Sequence, residues 1–206
     1  MRYSLLTVVL ASSLLSLSSC HKQAEFQGEW TATAPIDITS QIPQADRASS
    51  LMTISFIDDS EVNGGPVVLS SMLSINQAVA AGQLDGLDEA YEVDVAATAS
   101  VSGKWMYKDD DRDELLLALD ANTLQVNVDQ NGVTFSQNLL TGAQQPEVDS
   151  LTSVTVQEWK IAITKAMTAE MQRFSYLDDV NVEQKGTILT FEVENPKQTL
   201  HFHRTN

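Results

Sequence analysis

The chain has 206 residues, with 12 basic against 28 acidic side chains and a formal net charge of −16. That balance repels phosphate backbones and anionic lipid surfaces, and it excludes a nucleic-acid partner. A single cysteine, Cys20, rules out an intramolecular disulfide, so the fold must stand on its core.

The first residues carry one charge, Arg2, followed by an apolar stretch from Leu5 to Leu17 broken only by Thr7, Ser12, Ser13 and Ser16. As a helix this stretch reaches about 20 Å, short of the ~30 Å of hydrocarbon that a spanning helix crosses. The layout is that of an export segment. Its end, Leu17-Ser18-Ser19-Cys20, resembles the lipobox of bacterial lipoproteins. The resemblance implies a signal peptide over 1–19, acylation of Cys20, and a lipidated tether over 20–25 that holds the protein on a membrane through its acyl chains. Two or more such chains, at about 0.8 kcal/mol per buried CH₂, make release slow. His21 stands where an aspartate would resemble an inner-membrane retention signal, so the outer membrane is expected, with its face unassigned. The remaining length suits one domain over 26–206.

From Trp30 the apolar residues alternate, with Trp30, Ala32, Ala34, Ile36 and Ile38 on one face, which predicts a half-buried strand. Residues 51–57 predict a second strand, and Asn63-Gly64-Gly65-Pro66 a turn into a third over 67–75. Residues 76–89, with Gly82 and Gly86, read as a loop or a weak helix. The longest alternation follows, over the odd positions from Tyr91 to Tyr107, and Gly103 is its expected bend because strands normally run three to ten residues. Ala97, Ala99 and Gly103 leave space on that face beside Trp105 and Tyr107. Either a large neighbour such as Trp30 fills it, or a small apolar ligand does, so these five are the candidate ligand-facing residues.

Residues 114–119 and 124–128 predict two further strands, and Asn131-Gly132 a hairpin turn into 133–135. After a polar loop over 136–150, Thr155 and Glu158 read as a capping box. Trp159, Ile163, Ala166, Met167, Met171 and Phe174 then form the apolar stripe of one long helix, expected as core, with a lid or partner surface as the alternative. Three strands near 180–184, 187–193 and 198–204 close the chain. Eight to ten strands, with one long α-helix before the last three, predict a mainly β antiparallel barrel or sandwich.

Gly28-Glu29-Trp30 on the first strand and Arg204 on the last resemble the lipocalin-like domains of envelope lipoproteins, in which a Gly-x-Trp motif opens the barrel and a basic residue packs on the tryptophan. The resemblance implies an antiparallel lipocalin-like β-barrel, with Gly28, Trp30 and Arg204 as its structural motif and a small apolar or amphipathic molecule as its ligand. Gly103-Lys104-Trp105 repeats the motif within the chain.

Other constellations point to bland roles. Asp109, Asp111, Asp113 and Asp120 have calcium-loop spacing, but Glu114 occupies the position that needs glycine, and a solvated hairpin tip is expected. His201 and His203 share a strand face with no third ligand near in sequence, so no metal site is expected. No GxSxG, HExxH or phosphate-cradling glycine loop occurs, and neither catalytic residues nor a cofactor are expected. An anchored binding module is the leading expectation. The alternative is a solid barrel that docks an envelope protein.

Overall fold

A computed structural model describes residues 25–205 apart from 58, 60–62, 84–88, 110–111 and 143–144. The expected export segment, Cys20, most of the expected tether and Asp111 lie outside the described residues. The chain forms strands β1 (Gly28–Ala32), β2 (Ile36–Asp37), β3 (Arg47–Phe56), β4 (Gly64–Val79), β5 (Tyr91–Tyr107), β6 (Leu115–Leu119) and β7 (Gln125–Phe135). Helices α1 (Gln137–Gly142) and α2 (Gln145–Arg173) follow, and β8 (Tyr176–Glu183), β9 (Ile188–Val193) and β10 (Gln198–Arg204) end it.

All strand pairs are antiparallel. Their order β1-β10-β9-β8-β6-β5-β4-β3 closes on itself because β1 pairs with both β10 and β3, giving an eight-strand barrel. Closure removes the open edges that a flat sheet would expose. The two longest strands, β4 and β5, run past the closed ring. There β2 adds to β3 and β7 adds to β5, forming a sheet extension whose inner face shares the barrel's core.

The period-two pattern explains which face is inside. Along β5, Tyr91, Val93, Val95, Ala97, Ala99, Val101 and Trp105 are buried while the residues between them face out. This strand stays continuous over 17 residues because β4 accompanies its whole length on one edge. Its other edge is shared, with β7 pairing over Val93–Ser100 and β6 over Gly103–Tyr107. Gly103 is thus the point where the partner changes rather than an end. A Cβ there would stand 2.4 Å from the Ala118 carbonyl oxygen and 2.7 Å from Leu119 Cα, so the absence of a side chain is what lets β6 approach.

Three local expectations are corrected. The alternation over 30–38 is two strands, because Pro35 has no N–H to donate and splits β1 from β2, and Ala34 is exposed between them. Asn131-Gly132 does not reverse the chain. Between the pairs Val95↔Val133 and Ala97↔Val128, the single residue Ala96 faces residues 129–132, so the dipeptide lies in a bulge inside β7. Asn131 N–H donates to the Asp129 carboxylate at 2.7 Å within it. Burial of Val126, Val128, Val133 and Phe135 on one face of β5 favours the bulge over a hairpin, which would remove one pair from that face.

The third correction is the start of the long helix. It begins ten residues before Thr155, with Pro146 and Glu147 in its first turn, where a missing N–H is harmless and negative charge is favoured. Thr155 is a buried mid-helix residue and caps nothing. The stripe Trp159, Ile163, Ala166, Met167, Met171 and Phe174 is core, as expected. Polar β-branched residues are accommodated because Thr152, Thr164 and Thr168 each donate a hydroxyl to the carbonyl four residues back.

Candidate functional site

At one end of the barrel the Gly28-Glu29-Trp30 segment meets the last strand. Gly28 has φ +120°, and a Cβ on it would fall 2.7 Å from Arg204 Nη1. The Arg204 guanidinium lies 4.2 Å from the Trp30 ring centroid. It also donates to three carbonyls, from Nε to Gly186 at 2.7 Å, from Nη1 to Gln27 at 2.7 Å and from Nη2 to Glu25 at 3.1 Å. One side chain therefore fastens β10 to the β8–β9 turn and to the segment Glu25–Gln27 ahead of β1.

Phe26 carries this end further inward. Its ring meets those of Trp105, Phe56 and Tyr107 edge-on, at 4.9, 5.1 and 5.9 Å between centroids. The indole N–H of Trp30 donates to the Phe26 carbonyl at 2.7 Å, and that of Trp105 to the Ile57 carbonyl at 2.9 Å. Both buried polar tips are satisfied, and the four rings make an aromatic plug. The five candidate ligand-facing residues are therefore in three different settings. Trp105 and Tyr107 belong to the plug, Gly103 receives β6, and Ala97 and Ala99 lie in the extension, opposite Leu73 and Ser71 on β4 and Val128 and Val126 on β7.

The extension also buries polar groups that sequence reading did not single out. The Ser50 and Ser71 hydroxyls have no hydrogen-bond partner among the described residues. Near the end of α2, Glu170 and Arg173 form a buried ion pair at 3.6 Å, too long for a strong hydrogen bond. Gln41 donates to Glu170 Oε1 at 3.0 Å, and Arg173 Nη2 donates to the Gln198 side-chain oxygen at 2.7 Å. Burial pushes the Glu170 carboxyl up from its ordinary range, and Arg173 and Gln41 oppose that shift only in part. The pair ties the helix to the segment before β3 and to β10. Its sequence signal was an acid and a base on the same helix face as Met167, Met171 and Phe174.

The acidic tip between β5 and β6 is built around Glu114. Its carboxylate pairs with Lys108 and accepts a hydrogen bond from the Tyr176 hydroxyl at 2.6 Å, which pushes the tyrosine up to about 12. Glu114 is therefore engaged in fastening the hairpin to β8. His201 and His203 lie exposed on the outer face of β10, opposite Thr190 and Ile188. Among the described residues no cluster of His, Cys, Asp or Glu is arranged to hold a metal ion, and no helix is long and apolar enough to cross a membrane.

Open grooves mark the outside of the described residues. One, of about 410 Å³, lies across the outer face of β3, β4, β5 and β7 and includes Leu51, Thr53, Met72, Thr98, Ser100 and Asn127, with Met72 59 % exposed. Another, of about 480 Å³, runs past Pro35, Asp37, Arg47, Asn76 and Asp94. A further one, of about 500 Å³, lies between the end of β7 and the two helices.

These features define a closed eight-strand antiparallel barrel with a helix-backed extension and a plugged end. In comparisons with known proteins, no family model, no curated protein and no solved structure matches the chain.

Proposed function

We propose that this protein is a lipid-anchored envelope lipoprotein with a lipocalin-like barrel, held at the outer membrane through Cys20, and that it docks a protein partner through its outer surface. The observation that carries the reading is the filling of the interior. Trp30, Trp105, Phe174, Phe191 and Phe202 are each less than 2 % exposed and belong to one continuous core. A guest molecule needs the volume that these side chains occupy. Binding rather than catalysis is the role proposed, and the resemblance of Leu17-Ser18-Ser19-Cys20 to a lipobox supports the anchor.

A second reading rests on one observation, the unpartnered Ser50 and Ser71 hydroxyls near Ala97 and Ala99. Such hydroxyls suit the polar end of a small amphipathic molecule held inside the extension. To separate the two, a photo-crosslinking residue is placed at exposed Met72, Ile161 or Thr134 of the full chain in its native envelope. The docking reading expects one discrete protein adduct that depends on the position used. Absence of an adduct from every outer position, together with a tightly retained small molecule, would transfer the function to the interior.

A further inference from the structure

The groove across β3, β4, β5 and β7 lies on a face that differs in charge from the chain as a whole. The outward positions of β3 from Ser49 to Ser55, of β4 from Val68 to Ser74 and of β5 from Ala96 to Ser102 carry no charged side chain, in a chain with 12 basic and 28 acidic ones. Charges return at the borders, with Asp37, Arg47 and Asp94 on one side and Glu29 and Lys104 on the other. Between them the register lines up polar groups. Thr53, Ser70, Ser100 and Gln125 are successive partners across four strands, and Leu51, Met72, Thr98 and Asn127 form the neighbouring row. Thr53 meets the Thr31 hydroxyl at 3.1 Å. The side chains of Ser70, Thr98, Ser100, Gln125 and Asn127 have no hydrogen-bond partner among the described residues, and all five line the groove.

A face without charge offers an ionic ligand no counter-charge, so what it selects is neutral. Each of the five free groups both donates and accepts hydrogen bonds, as the hydroxyls of a sugar do. Neighbouring strands stand about 4.8 Å apart, so each row presents one side chain per such step, close to the length of one pyranose in an extended chain. Met72, 59 % exposed, and half-buried Leu51 supply an apolar seat for the C–H face of a ring. The cores of protein interfaces are poor in serine and rich in aromatics, whereas this face is rich in serine and none of its outward positions is aromatic. Protein docking is thereby left to other parts of the outer surface, such as α2 around exposed Ile161. We infer that the outer face of β3, β4, β5 and β7 binds an extended, uncharged oligosaccharide laid across the strands, a site that goes beyond the docking reading and does not depend on it. An open groove with no ring to stack on releases its ligand quickly, so binding is read by titration.

The test follows ¹⁵N–¹H spectra of the chain from residue 20 onward, with Cys20→Ala, as sugars are added. Cellohexaose and N-acetylchitohexaose are extended and uncharged, and hexagalacturonate is extended and anionic. At least one of the neutral pair should bind saturably, at least tenfold tighter than hexagalacturonate, with the largest shifts at Ser70, Met72, Thr98, Ser100 and Asn127. Met72→Lys and Ser100→Asp bring charge to the face, and Asn127→Ala removes one amide from it. Each should weaken binding at an unchanged melting temperature, the two charged substitutions tenfold or more, while Ile161→Lys on α2 leaves it unchanged. Binding by neither neutral sugar, equal binding by hexagalacturonate, or shifts centred elsewhere would each overturn the inference. So would shifts on this face that follow protein concentration without sugar, which would give it to a second copy of the chain. A protein crosslink from Met72 in the envelope that saturating sugar does not displace would overturn it in favour of docking at this face.

Discussion

Arg204 shows how much a single side chain can hold. Its guanidinium covers the Trp30 face and satisfies three carbonyls in two separate segments. A cation over an indole in a partly desolvated site contributes about 1–2 kcal/mol, and a hydrogen bond to a charged group about 1.5–3 kcal/mol. Arg204→Met keeps the apolar stem and removes the rest, so urea unfolding should report a loss of about 2–4 kcal/mol, and a change under 1 kcal/mol would contradict this role. Glu170 makes a prediction in pH. Its folded carboxyl titrates above its ordinary 4.5, so the folded state keeps a proton that the unfolded chain has released. Stability from this group is present below 4.5 and is lost as pH rises through the raised value. Asp37, Glu114 and Glu192 are held low and act below that window, with the opposite sign. The difference in urea midpoint between the protein and Glu170→Gln should therefore shift in favour of the variant as pH climbs above 4.5, and an unchanged difference between pH 4 and 8 would contradict it.

Among the elements, β5 organises the rest, since β4, β6 and β7 all pair with it. Gly103→Val would drive a side chain into the Ala118 carbonyl and the Leu119 backbone, and both are main-chain atoms with no rotamer to yield. Thermal unfolding should report a loss of about 2–4 kcal/mol, with β6 amides exchanging faster than those of β7. Equal acceleration in the two strands would argue against Gly103 as the point of approach. The legibility of the elements follows the same physics. The β5 alternation could be read because only one face is buried, and the helix stripe because its apolar residues repeat at helical spacing. The first ten residues of α2 were missed because they present mainly polar or half-exposed side chains and carry no such period. The bulge at Asn131-Gly132 is not legible locally, because the dipeptide suits a hairpin and only the shared partner β5 decides otherwise. The Glu170–Arg173 contact and the uncharged face of β3, β4, β5 and β7 depend on segments far apart in sequence, so no local pattern announces them.

At the level of the whole molecule, closure by β1 and the rings packed on Phe26 fill the end of the barrel at which the described chain begins. The grooves open on the outer face and beside β7, with solvent access that the interior aromatics lack. Under the proposed anchoring, the acyl chains hold the plug toward the bilayer, and Cys20→Ala should move the protein from the membrane fraction to the soluble envelope fraction. Retention with membranes in that variant would contradict the anchor. The interior is occupied by the protein's own side chains. Native mass spectrometry of the mature Cys20→Ala chain, recovered from its own envelope without detergent, tests that most directly. The predicted result is the bare polypeptide mass, and a stoichiometric small-molecule adduct that survives desolvation would contradict it.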